Sequence, residues 1–321
     1  MQPTPPPSRT ALITAFAAIY LIWGSTYLGI RYAIETMPPF AMTALRFLVA
    51  GPILLAWVKW QGAPWPTAAQ WRRNAVVGVF LLVGGNGLVA WAEQTIPSGL
   101  TALIIGISPL FMVLIEWSWP GGQRPTGLTV AGLLLGFVGV AWLVAPWESV
   151  KGGGLPLGGV LAILGSCLCW SFGSIFSRQS PQPAPPLVSS SVQMIAGGMG
   201  LSVVALWRGE WAEFDPARVS AHSAWAFVYL VVVGSLVAFS TFVWLLKHST
   251  PARVSTYAYV NPVVAVILGW WLADEPVSGR TIAAAVLIVA AVVLITTQKA
   301  AAPAVKAAPE SVKHPQARRE A

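Results

Sequence analysis

Apolar runs of about twenty residues follow one another along almost the whole chain, and that pattern admits few folds. A helix needs about 20 apolar residues to cross a hydrocarbon core, where each backbone N–H and C=O must be bonded within the segment. Ten such runs are read, over 11–30, 40–58, 75–92, 98–116, 127–145, 157–177, 187–206, 224–246, 254–272 and 279–297. The composition agrees, with 56% hydrophobic and only 9% charged residues among 321. A soluble domain carries about 25% charged residues to keep its surface wet. The expected fold is therefore an all-α integral membrane protein of about ten transmembrane helices. No cleavable leader is evident, because the first run is long enough to span and lacks a small-residue cleavage site.

Several joints between runs are only a few residues long, so neighbouring helices are antiparallel. The longer joints carry breakers, such as Gln61-Gly-Ala-Pro-Trp-Pro66 and Trp119-Pro-Gly-Gly122. Both ends, 1–10 and 298–321, are rich in Pro, Ala and charge and are expected to be disordered. With ten spans the two termini share a face with Arg9, Lys59, Arg72, Arg73, Arg124, Arg178, Lys247 and Arg253. The other face holds Arg31, Lys151, Arg208, Arg218 and Arg280. That bias, together with the basic C-terminal tail, predicts cytoplasmic termini. The formal charge of +8 thus reads as orientation in a lipid bilayer, with no nucleic-acid partner expected. Tryptophans near span ends, Trp57, Trp60, Trp71, Trp207, Trp270 and Trp271, suit an interfacial belt.

The chain also resembles itself. An offset of 147 residues places Trp23 on Trp170, Arg31 on Arg178, Pro38-Pro39 on Pro185-Pro186, Gly51 on Gly198 and Arg46 on Gln193. Further on, an offset of 153 places Trp91 on Trp244 and Pro109 on Pro262. The expected organisation is a five-helix repeat over 11–145, a linker over 146–156 and a second five-helix repeat over 157–297. Five is odd, so the second copy enters the membrane from the opposite face. Inverted-topology repeats recur in transporters, where two similar halves exchange conformations to open alternately to either side.

The stretches IWGSTYLGIRYAIETMPP at 22–39, ALRFLVAG at 44–51, GGNGLVAWAEQTIPSG at 84–99 and STYAYVNPVVAVILGWWLADEP at 255–276 resemble the EamA family of the drug/metabolite transporter superfamily. The likeness covers about residues 11–297, both repeats included. It implies a ten-helix inner-membrane transporter with both termini cytoplasmic, exporting a small-molecule substrate such as an amino acid, another metabolite or a toxic compound.

A transport path needs polar or aromatic groups at mid-depth. Trp23, Ser25, Thr26 and Tyr27 lie there in the first run, with Trp170, Ser171 and Ser174 at the matching place in the second repeat. Their alternative use is close helix–helix packing. Ser108-Pro109 and Asn261-Pro262 predict kinks at matching places, since an interior proline frees a carbonyl. Ser255, Thr256, Tyr257 and Tyr259 precede the second kink. Asn86 sits among glycines, either as an interhelical donor or as a substrate contact. Arg46, about two turns into its span, is suited to an anion or a carboxylate partner, or to snorkelling to the interface. Glu93 and Glu116, at span ends, are candidates for cation binding or proton coupling if desolvated, and are otherwise solvated. Gly132-Leu-Leu-Leu-Gly136 is a small-residue motif suited to a homodimer seam or to packing within one chain.

An enzyme is not expected, and no catalytic residues, metal ligands or cofactor site are assigned. His222, His248 and His314 all lie outside the spans or at their ends, and no HExxH or nucleotide-binding motif appears. Cys167 and Cys169 are two apart on one helix, a spacing unsuited to a disulfide. A passive channel is the competing class, but it calls for a continuous polar lining or charged rings. The polar residues here are scattered.

Overall fold

The computed structural model describes residues 7–119, 124–145, 154–179, 184–249, 251–254 and 256–296. The C-terminal tail, Ser255, His314 and most of the linker lie outside the described residues. Those described are helical or short connections, with no strand among them. We number ten helical segments. They are α1 (Arg9–Ala33), α2 (Pro39–Trp60), α3 (Ala68–Ala92), α4 (Ser98–Ser118), α5 (Gly127–Val144), α6 (Leu157–Arg178), α7 (Pro186–Trp207), α8 (Ala221–Leu246), α9 (Tyr257–Ala273) and α10 (Gly279–Thr296). The first eight are long and apolar enough to cross a membrane, and the last two are shorter apolar helices.

The helix starts follow from local chemistry. Ser8 accepts from the Ala11 N–H, so α1 begins at Arg9, inside the expected tail. Thr67 and Gln70 form a reciprocal capping box, which starts α3 seven residues before its apolar run. Pro39 and Pro186, each preceded by a proline cap, open α2 and α7, where a missing N–H is no loss. Asp274 ends α9 in the left-handed region, with φ 51°.

Lipid offers no hydrophobic drive between helices, so close backbone approach decides their packing. The α2–α7 contact repeats itself. A Cβ on Gly51 would stand 2.9 Å from the Ile195 backbone N, and one on Gly198 would stand 3.0 Å from the Leu48 backbone N. Leu48 and Ile195 are themselves 147 residues apart, so one contact is made twice with the partners exchanged. In α5, the Gly132 and Gly136 of the small-residue motif face Ile295 and Ala291 of α10. That face of α5 is occupied within the chain. The α2–α7 and α5–α10 pairs make the most extensive helix–helix contacts among the described residues.

The expected matching kinks come out unequal. α4 breaks at Gly106-Ile107, and Pro109 starts its second half. α9 runs through Pro262 unbroken, and the interruption falls earlier, between Val254 and Tyr257. Pro262 packs instead at the break of α4, where a Cβ on Gly106 would lie 3.4 Å from its ring.

Candidate functional site

Trp23 is the centre of a four-ring cluster between α1, α8 and α9. Its ring lies 4.9 Å from Tyr257, 5.0 Å from Phe242 and 5.8 Å from Phe239, tilted or edge-on in each case. Such geometry sets a positive ring edge against a negative face. The hydroxyls around it are turned inward on their own helix: Thr26 donates to the Trp23 carbonyl at 2.7 Å and Ser25 to the Ile22 carbonyl at 2.9 Å. Ser25 also bonds Tyr229 of α8 at 2.6 Å.

Cavities lie on either side of this cluster, along the seam of α1 and α8. One of about 770 Å³ is lined by Ser8, Thr14, Ala18, Trp57, Ser240 and Trp244, and so belongs to the face where α1 begins. The other, about 250 Å³, is lined by Ser25, Gly29, Tyr32, His222, Trp225 and Tyr229, toward the distal face.

Both α3 and α8 change to π-helix in mid-course, at Val79–Gly87 and Leu230–Val237. A π segment is rare and tends to mark a functional site. In the first, Asn86 donates to the Leu81 carbonyl at 3.2 Å. In the second, Ser235 donates to the Leu230 carbonyl at 2.9 Å. Each bond spans five residues, and the two are offset by 149, so Asn86 and Ser235 stabilise equivalent turns. Asn86 therefore spends its amide N–H on its own helix. Its alternative as an interhelical donor is not what the structure uses.

Arg46 reaches the second π segment. It does not snorkel: it is 4% exposed, and its Nε donates to Ser235 Oγ at 3.0 Å. The pseudo-equivalent Gln193 instead donates to Asn74 at 2.9 Å. Trp170 also departs from its counterpart, packing on Gly85 of the first π segment. The second aromatic cluster is built on Phe172, with Phe80 at 4.6 Å and Trp119 at 5.7 Å. Ser174 is half-buried on the same helix. Ser108 joins the two halves of α4, donating to the Ile105 carbonyl while its own carbonyl accepts from Ser171. Tyr257 belongs to the Trp23 cluster, whereas Tyr259, two residues on, points elsewhere on α9. The side chain of Asn261 is buried with its Oδ1 unpartnered, and its backbone carbonyl would lie 3.2 Å from a Cβ on Gly24.

The distal face is tied together by polar caps. Glu275 accepts from Ser98 N at 2.6 Å and Gly99 N at 2.9 Å, closing the start of α4. Glu210 accepts from Ala41 N at 2.8 Å, closing the start of α2. Arg31 donates to the Glu93 carbonyl at 2.8 Å, Tyr32 to that of Leu272 at 2.6 Å, and Ser223 to that of Tyr32 at 2.8 Å. Glu93 is 0% exposed, and both its carboxylate oxygens are unpartnered. It is thus desolvated, unlike Glu116, which is exposed and stands 4.0 Å from Arg178.

The profile of the EamA-like transporter family matches residues 10–145 and again residues 157–297. The chain belongs to this family. It is 36% identical over 271 residues to the uncharacterised inner membrane transporter YedA of Escherichia coli, covering 83% of this chain and 84% of that one. The uncharacterised transporter YvbV of Bacillus subtilis is 26% identical, over 88% and 90% of the two chains. Among solved structures, a crystal structure superposes with a TM-score of 0.63 at 25% identity, over 90% of this chain and 99% of the other. As an EamA-like protein it is a multi-pass transporter of the inner membrane. Sequence reasoning missed Phe239, Phe242, Tyr229 and Ser235. The signal for Ser235 was the Gly234-Ser235 pair, which repeats Gly85-Asn86.

Proposed function

We propose that the protein is a secondary transporter that exports small metabolites, amino-acid-like compounds or toxic organic molecules by alternating access. The observation that carries this reading is the division of the α1–α8 seam. A cavity of about 770 Å³ at one face and one of about 250 Å³ toward the other are separated by the Trp23, Phe239, Phe242 and Tyr257 rings. Polar caps tie helix ends together at the distal face, and the Lys and Arg distribution favours cytoplasmic termini. On this reading the larger cavity is the cytoplasm-facing vestibule. Export as the direction follows from the family resemblance. Trp23, Thr26, Tyr27, Tyr257 and Asn261 form the substrate path on this reading, with Trp170, Ser174, Asn86 and Ser108 supporting it from the other repeat. Pro109, at the break in α4, acts as a pivot, and Arg46 and Glu93 carry the charge-dependent steps. A passive channel would require a continuous polar lining, which the aromatic closure opposes.

The test is counterflow in proteoliposomes, with a panel of labelled amino acids and metabolites. Saturable exchange is expected, and Trp23→Ala lowers it by about tenfold or more, since each aromatic pair is worth about 0.5–1.5 kcal/mol. Unsaturable leakage, unchanged in Trp23→Ala, would support the channel.

A further inference from the structure

A hydroxyl inside a membrane span has a partner at hand in its own helix, the carbonyl three or four residues back. The spans of this protein use that partner repeatedly. Thr43 donates to the Pro39 carbonyl, Ser166 to that of Ile163 and Ser191 to that of Val188, as do Ser25, Thr26 and Ser108 to theirs. Thr14 of α1 and Ser240 and Thr241 of α8 do not. Their hydroxyls make no hydrogen bond among the described residues, and all three line the 770 Å³ cavity. Thr101 and Ser202 also lack partners, but they line neither cavity. The three free hydroxyls thus come from two neighbouring helices and border one space.

The rest of the lining sets what that space can hold. Ala15 and Ala18 are too small to fill the seam between α1 and α8, which gives the cavity its width. Trp57 of α2 and Trp244 of α8 supply aromatic surface, and neither indole N–H has a partner among the described residues. Ser240 and Thr241 stand between Phe239 and Phe242 in the chain, so the hydroxyls adjoin the Trp23 cluster. Among the described residues no Lys, Arg, Asp, Glu or His lines this cavity. Arg9 falls between the lining residues Ser8 and Thr10 without joining them. His248 stacks on Trp244 at 4.4 Å and bonds that residue's carbonyl at 2.8 Å. The buried charges of Arg46 and Glu93 lie outside both linings. Taking an ion out of water is offset only where a partner charge or a full set of hydrogen bonds replaces the solvent. Hydroxyls and rings meet that demand for a neutral polar molecule and fall short of it for an ion.

We infer that this cavity is a binding site for uncharged, hydroxyl-bearing organic molecules with an aromatic or apolar face, and that ionic and zwitterionic compounds are held there far less well. Thr14, Ser240 and Thr241 donate to and accept from the hydroxyls of the ligand, and Trp57 and Trp244 pack on its apolar face. The passage of such molecules rests on the transport reading, whereas the site itself does not. Within that reading, the site favours neutral organic compounds over amino acids.

The full chain, purified in detergent and in phosphatidylcholine nanodiscs, is melted with phenyl glucoside, phenyl glucuronide and phenyl glucosaminide at equal ionic strength. The three share a phenyl ring and a sugar, and carry no charge, a carboxylate and an ammonium respectively. Phenyl glucoside is expected to raise the melting temperature saturably, with an apparent affinity about tenfold or more above either charged relative. Thr14→Val, Ser240→Ala and Thr241→Val together remove the hydroxyls with little change of shape. No hydrogen bond within the described protein is lost, so this variant should fold. It is expected to weaken glucoside binding by about tenfold. Trp57→Leu weakens binding too, and Arg9→Gln leaves it unchanged. The proposal is overturned if the glucoside does not stabilise the wild type, if either charged relative stabilises it as strongly, or if the hydroxyl variant keeps the full response. A response confined to nanodiscs assigns the effect to lipid and overturns the site as well. Hydroxyl-dependent binding without counterflow of the glucoside or of any other compound overturns the transport reading alone. Saturable counterflow of amino acids without glucoside binding overturns this site alone.

Discussion

Glu93 stands just past Ala92, where α3 ends, and its carboxylate meets no hydrogen-bond donor among the described residues. Burial pushes the carboxyl well above the usual range and Glu275 adds to the rise, while Arg31 opposes it more weakly. The titratable and charged groups facing it are Tyr27 and Arg31 from α1 and Glu275 beyond α9. A raised folded-state value means that the folded chain holds a proton which the unfolded chain has released. Stability is then fully present below the ordinary carboxylate range, and it falls as pH rises from there to the raised value. Thermal melts in detergent across that window are expected to show this slope in the wild type. Glu93→Gln should flatten it and melt higher at neutral pH. An unchanged slope in the variant would mean that Glu93 is solvated or paired. Sequence position alone marked Glu93 as a span-end charge; only the docking of α1, α4 and α9 around it removed the water.

Among the elements, the joints at the distal face and the α2–α7 crossing decide how much movement the fold allows. Glu275 and Glu210 satisfy N–H groups that the starts of α4 and α2 leave without intrahelical partners. Glu275→Ala and Glu210→Ala should each cost about 0.5–2 kcal/mol, read as a lower melting temperature. At the crossing, Gly51→Ala and Gly198→Ala each drive a methyl against the backbone of the opposite helix. Overpacking of this kind costs about 1–3 kcal/mol. The exchanged contact predicts similar losses for the two, and a large inequality would argue against the pseudo-twofold.

At the scale of the molecule, the α2–α7 and α5–α10 pairs make the most extensive helix contacts, and α1 with α8 lines both cavities. In the cytoplasm-facing reading, a thiol probe should reach cysteines placed at Thr14 or Ser240, in the 770 Å³ cavity, from the cytoplasmic side of everted vesicles. The background for this uses Cys167→Ala and Cys169→Ala. Labelling from the opposite side alone would reverse the assignment of faces.

The sequence by itself determined the helices, because lipid forces each apolar run to satisfy its own backbone. It also determined the family, through the stretches around Trp23, Arg46, Asn86 and Pro262. The repeat register at Gly51 and Gly198 was legible for the same reason, since small residues are retained where two helices must touch. What only the tertiary structure decided was which polar groups meet. Arg46 and Ser235 are 189 residues apart, and Glu275 and Ser98 are 177 apart. No periodicity within one helix states which face of another it will meet. The π segments were likewise hidden, because a change from four- to five-residue hydrogen bonding leaves the apolar pattern almost unaltered while turning the side chains beyond it to new partners.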